Sequence, residues 1–218
     1  MTLSELTTLL LSWVDDANGA YFTSAQTNLF LNRAQQEVQK QLIQAGEMYY
    51  TKAVETTTVA NQGDYVLPSD FMIVNRLELV LSGSGTSEDK RYLVPISLNE
   101  QYKFGIQTGT PEVYAIKKDR ITLFPTPDAA LTLRLYYSYR VTDMSSSSDS
   151  PDVPTEYHEY VALLAARDCF IKDDRPLNNL ETKINYYLRL MKETYEDRRQ
   201  DQSRFVIETG DNDWGRTY

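Results

Sequence analysis

The chain of 218 residues has one cysteine, Cys169, and one histidine, His158. A single thiol can form neither an intrachain disulfide nor a cysteine-based metal site. A Ser-His-Asp system would have to use His158, yet no nucleophile-elbow glycine motif accompanies it. It stands in Tyr157-His158-Glu159-Tyr160, at the opening of a predicted helix, where it reads as an exposed side chain. Basic residues are also short. Lys and Arg number 22 against 31 Asp and Glu, for a net charge of -9. Affinity for nucleic-acid phosphates comes mainly from Lys and Arg, so this is a poor candidate for wrapping DNA. A surface past which DNA slides without sticking remains compatible. The glycines of Ser82–Lys90 lack the spacing of a phosphate cradle, and no Lys-Ser or Lys-Thr follows them. Long apolar runs are missing: Leu9-Leu10-Leu11 is far too short to span a bilayer. No basic region followed by an apolar core opens the chain, so no signal peptide is expected. Asp and Glu fall mostly in turns and on helix faces, without a paired-carboxylate motif. The expectation is a chain that is not an enzyme and that carries no cofactor and no metal.

Tyrosine, by contrast, is frequent, with 16 residues against 7 Phe. A tyrosine buries a large ring and keeps a polar handle, which suits both sheet faces and partly wet interfaces. The stretch Gly109–Arg140 organises the rest. Leu131, Leu133, Leu135, Tyr137 and Tyr139 alternate with Thr132, Arg134, Tyr136, Ser138 and Arg140, the period of a strand. Ile121 and Leu123 lie on a shorter strand before it. Lys117-Lys118-Asp119-Arg120 and Pro125-Thr126-Pro127-Asp128 are the turns, the second because proline has no N–H for a ladder. The predicted result is a three-stranded antiparallel meander.

Further strands are predicted over Tyr49–Val59, Tyr65–Pro68, Ile73–Leu81 and Arg91–Ile96, with a single helical turn at Ser97–Tyr102. Helical spacing flanks this region on both sides. Thr2 or Ser4 caps a helix to about Asp15, with Leu3, Leu6 and Leu10 on one stripe. Thr23 or Ser24 caps a longer one to Ala45, closed by Gly46. Its polar face carries Asn32, Gln35, Gln36, Gln39 and Lys40, either solvated or packed on other chains. Ser145–Ser148, Asp149, Ser150 and Pro151 read as a weakly ordered linker. A third helix runs from Pro154 to about Ile171 with one apolar stripe, and a fourth from Leu177 to about Gln202. Leu177, Leu180, Ile184, Leu188 and Met191 recur at three and four residues on the fourth, a helix-packing seam expected between subunits. In the last residues Phe205, Val206, Ile207, Trp214 and Tyr218 stand among acidic residues, the pattern of a docking peptide.

The fold class is thus α+β. The expected domains are residues 1–47, N-terminal helices; 48–141, an inserted antiparallel β domain; 142–153, a linker; 154–202, C-terminal helices; and 203–218, an extended arm. The two helix pairs each have an apolar stripe to bury and are expected to meet in a four-helix bundle.

Several short stretches, in this order, resemble one family: Leu31-Asn32-Arg33-Ala34-Gln35 with Val38, Tyr65-Val66-Leu67-Pro68-Ser69-Asp70-Phe71, and Gly109-Thr110-Pro111-Glu112-Val113-Tyr114. Ile121–Pro127, Leu133–Tyr137, and Val153-Pro154 with Tyr157 continue it. Together they are similar to the head-to-tail adaptor, or connector, proteins of tailed bacteriophages, especially short-tailed ones. That resemblance implies a virion structural protein, made in the host cytoplasm and placed at the head–tail junction. It implies a homo-oligomeric ring, usually a dodecamer, beneath the portal protein. The ring would extend the DNA channel without binding DNA specifically, bind tail or nozzle proteins, and touch no membrane. Phe205, Val206, Ile207, Trp214 and Tyr218 then become a portal-docking arm. The alternative is a β-rich carbohydrate-binding or tail-fibre-associated module.

Overall fold

A computed structural model of the chain describes residues 1–46, 49–83, 85–104 and 107–202. The chain divides into two compact units, Met1–Glu47 with Met144–Tyr218, and Met48–Asp143. The first is helical and the second is built mainly of antiparallel sheet, so the fold class is α+β.

In the helical unit, α1 spans Leu3–Trp13 and α2 spans Ser24–Ala45. Both start with a capping box. Thr2 Oγ1 accepts from the Glu5 amide and Glu5 Oε2 accepts from the Thr2 amide; Thr23 and Gln26 repeat the arrangement. Each box satisfies amides that the first helical turn leaves without partners. Gly46, at φ 92°, ends α2 in the left-handed region that favours glycine.

The centre of this unit is α3, His158–Lys172, entered through a short 3-10 turn, Thr155–Tyr157. It packs against α1, α2 and α4, the last spanning Asn178–Gln202. Val161, Leu163 and Leu164 are buried, and so are the small residues Ala162, Ala165, Ala166 and Cys169 between them. The single apolar stripe expected of α3 is therefore replaced by burial on almost every side, because short side chains let three helices approach one. On α2 the expected polar face is largely interior: Gln35 and Gln39 are buried together with Leu31, Ala34, Val38 and Leu42.

Ser145–Pro151 also differs from expectation. The Leu3 and Ser4 amides donate to the carbonyls of Asp149 and Ser147, at 2.6 and 3.1 Å. The Asp149 carboxylate accepts from the Ser145 and Ser146 amides, which hold its pKa below the usual carboxylate range. Serine-rich composition alone suggested disorder; the free amides at the head of α1 supply the partners that order it.

The β unit holds two four-stranded sheets. One orders β1 (Thr51–Thr57), β8 (Thr132–Tyr139), β3 (Phe71–Ser82) and β4 (Asp89–Tyr92). The other orders β2 (Asp64–Val66), β7 (Arg120–Phe124), β6 (Val113–Lys117) and β5 (Val94–Pro95). Leu77, Leu79, Leu133 and Leu135 of the first sheet cluster with Tyr65, Tyr114, Ile121 and Leu123 of the second to form the core.

Two expectations are corrected here. The meander stops after its first hairpin: β6 and β7 pair, but β8 crosses to the other sheet and lies between β1 and β3. Residues 125–131 carry the chain across, since Pro125 and Pro127 cannot donate to a ladder. The single strand expected at Arg91–Ile96 is two. Leu93 turns into the core between them, and β5 joins the second sheet by pairing parallel to β6. The helical turn after it is a 3-10 segment, Leu98–Phe104.

Candidate interaction surfaces

The single histidine and the single cysteine are both buried. His158 is buried, not exposed as the sequence suggested. Its Nε2 lies 2.9 Å from the Val153 carbonyl and its Nδ1 lies 2.7 Å from the Met1 amino nitrogen. Burial lowers its pKa, which favours a neutral ring that donates from Nε2 to Val153. Cys169 is buried on α3, and burial pushes its thiol up to about 12, so it presents no thiolate at neutral pH. Among the described residues no group of three His, Cys, Asp or Glu side chains could hold a metal ion. No described helix is long and apolar enough to cross a membrane.

A cluster of charged side chains lies on the face of the first sheet turned away from the core. Register places Glu55 and Glu78 directly on either side of Arg134. Arg134 Nε reaches Glu55 at 2.6 Å, Nη1 reaches Glu78 at 3.1 Å, and Nη1 and Nη2 reach Glu88 at 3.0 and 3.2 Å. Lys90 and Arg76 complete the network on Glu88 and Glu78. Arg134, then Lys90, hold the Glu88 carboxyl down to about 2. The network fastens four strands together and takes up four of the arginine's five N–H donors.

On the helical unit, Glu37 of α2 and Arg167 of α3 form a two-pronged pair at 3.1 and 2.7 Å. Tyr160 stacks on Tyr187 of α4 at 5.4 Å, and its hydroxyl donates to Gln41. Asn32 holds the chain at Met144 by two bonds, its Nδ2 on the carbonyl at 3.0 Å and its Oδ1 on the amide at 2.8 Å.

The α4 seam is used within the single chain. Leu180, Ile184 and Met191 are buried and Leu177 and Leu188 are half-buried, while Tyr186 and Leu190 face outward. Phe205, Val206, Ile207, Trp214 and Tyr218 lie outside the described residues.

Two further surfaces lie on the β unit. A 360 Å³ apolar groove opens beside β1 and β2, with Val54, Val66 and Pro68 at its sides and Leu77, Leu133 and Leu135 within. The β6–β7 turn carries Lys117, Lys118 and Arg120, all exposed. Neither the groove nor this basic turn was read as a surface from the sequence. The groove depends on β1 and β2 belonging to separate sheets, whereas the basic character of Lys117-Lys118-Asp119-Arg120 stands in the sequence itself.

A family model described as SU10 adaptor protein matches residues 1–210, nearly the whole chain. The chain belongs to the SU10 adaptor protein family. This agrees with the resemblance to phage head-to-tail adaptors, and it gives the protein a structural adaptor role. Among curated proteins no match is found. For an SU10-family adaptor, surfaces that meet other chains matter more than a pocket, and the buried His158 and Cys169 belong to its interior.

Proposed function

We propose that this adaptor assembles into a homo-oligomeric ring, dodecameric as in the proteins it resembles, that joins the portal to the tail proteins in the virion of a short-tailed phage. The observation that carries the reading is the family match over residues 1–210. In this reading α1 to α4 act as a four-helix bundle that builds the ring, with the β domain inserted between its helix pairs. DNA passes through the channel without sequence-specific binding, in keeping with a net charge of -9. The arm, with Phe205, Val206, Ile207, Trp214 and Tyr218, docks on the portal. Fold and assembly share α4. Leu180, Ile184 and Met191 serve the subunit's own interior, so Leu177, Leu188, Tyr186 and Leu190 are the positions with surface left for a neighbouring subunit.

Electron microscopy of the full chain and of a variant truncated after Ser203, each mixed with the portal, tests this. The expected result is a ring seated on the portal by the full chain alone. A full-length protein that stays monomeric and ignores the portal overturns the proposal.

A further inference from the structure

The hairpin of β6 and β7 ends in three cations brought together; elsewhere in the unit only Arg140 among the described basic residues lacks a carboxylate partner, and it stands alone. Lys52, Arg76, Lys90, Arg91, Lys103 and Arg134 each pair with a carboxylate. Lys117, Lys118 and Arg120 pair with none among the described residues. Register sets Lys117 directly across from Arg120. Like charges directly opposite on adjacent strands repel, with Cβ atoms about 5 Å apart, and so destabilise the pairing. Lys118, in the turn itself, adds a third cation and sits at φ 56°, a left-handed conformation that costs a side-chain-bearing residue stability. Asp119 offsets one of the three charges and leaves the tip at a net +2: its carbonyl accepts from the Leu67 amide, and its carboxylate bonds to none of the three cations.

A hairpin that stores like-charge repulsion at an exposed tip is relieved by an anion brought from outside. Protein interfaces are depleted in lysine and enriched in aromatic residues, and two of these three cations are lysines. Phosphate backbones, in contrast, are contacted chiefly by Lys and Arg, without regard to sequence. We propose that Lys117, Lys118 and Arg120 form a sequence-independent contact for the phosphate backbone of double-stranded DNA. On a chain of net charge -9 the contact is confined to the tip, so DNA is touched and released instead of held. The proposal rests on the adaptor reading for its setting in the virion but not for its chemistry.

Fluorescence anisotropy with a short double-stranded DNA of arbitrary sequence tests it on the full-length protein. Three neutralised phosphates give a log–log salt slope of about -2.7 for one engaged tip, so affinity falls roughly 40-fold between about 50 and 200 mM salt. The variant Lys117→Gln/Lys118→Gln/Arg120→Gln is expected to bind at least about tenfold more weakly at low salt, with a slope near zero. Asp119→Lys is expected to bind more tightly than the wild type. These side chains are exposed, and matching circular dichroism spectra would verify that each variant is folded. Wild-type affinity and slope in the triple variant overturn the proposal, as does a wild-type protein that ignores DNA at low salt. Electron microscopy of the same variant with the portal separates the two readings. Loss of portal seating with DNA affinity unchanged makes the tip a protein contact and sinks this inference. Tip-dependent DNA binding by a protein that never forms a ring sinks the ring proposal and leaves this one standing.

Discussion

The helical unit buries amides and an imidazole, whereas the β unit buries a charge, Glu78, within an ion-pair network. In the helical unit, polar side chains lie inside the packing: Gln35 and Gln39 are buried on α2, His158 on α3, and Asn32 grips the backbone of Met144. In the β unit the core between the sheets holds leucines, tyrosines and Ile121, and the buried charge, Glu78 at 1% exposed, lies on the opposite face of the first sheet, paired with Arg134. A helical unit assembled from distant parts of the chain needs directional bonds to set which helix meets which. A sheet already has its register from backbone pairing, and its side chains are free to reinforce it from outside.

The sharpest way to break the comparison is at α3. Leu164 is 1% exposed at the meeting of the helices. Leu164→Ala is expected to cost about 2–5 kcal/mol. Hydrogen-exchange mass spectrometry should show lost protection in α1 to α4 and retained protection in β3 and β8. Equal loss in both would mean that the units melt as one. A smaller effect is expected of Asn32→Ala, which strands the Met144 amide and carbonyl at a cost of about 1–3 kcal/mol. Urea unfolding followed by Trp13 fluorescence in a Trp214→Phe background would measure it, because the β unit has no tryptophan.

The smallest effect is an acid one, confined to the β unit. Arg134 and Lys90 hold Glu88 at about 2, below its ordinary 4.5. A depressed carboxylate contributes stability that is fully present above pH 4.5 and is lost as pH falls through about 2. Thermal melts of the β unit should therefore decline across that window, and Glu88→Gln should flatten the decline. An unchanged slope in the variant would remove Glu88 from the network's acid response.

Much of the local structure was legible in the sequence. Thr2, Thr23 and Gly46 act as helix caps because their chemistry is local: a hydroxyl three residues before a free amide, or a residue with no Cβ where φ turns positive. The alternation from Leu131 to Arg140 announced β8 and which side chains share a face. It did not announce the partner. The period of a strand sets faces and not neighbours, so β8 was placed beside β7 when it pairs with β1 and β3. His158 and Gln35 were misjudged for a related reason: polar residues are most often outside, and their burial depends on partners far off in the chain. On α4 the spacing was visible, but not that Leu180, Ile184 and Met191 are buried within the single chain, because packing inside a subunit and packing between subunits share one sequence pattern.

The position of α3 at the centre of the helical unit also bears on how the protein is made. A ribosome delivers α1 and α2 first, then the whole of the β unit, and only then the helix on which α1 and α2 pack. At about 5–20 residues per second, the roughly 110 residues between α2 and α3 take on the order of 5–20 seconds to emerge. The β unit, continuous in the chain, can fold in that interval. The apolar faces of α1 and α2 meanwhile wait without their partner, so a nascent chain stalled before His158 would be the species most in need of chaperone protection.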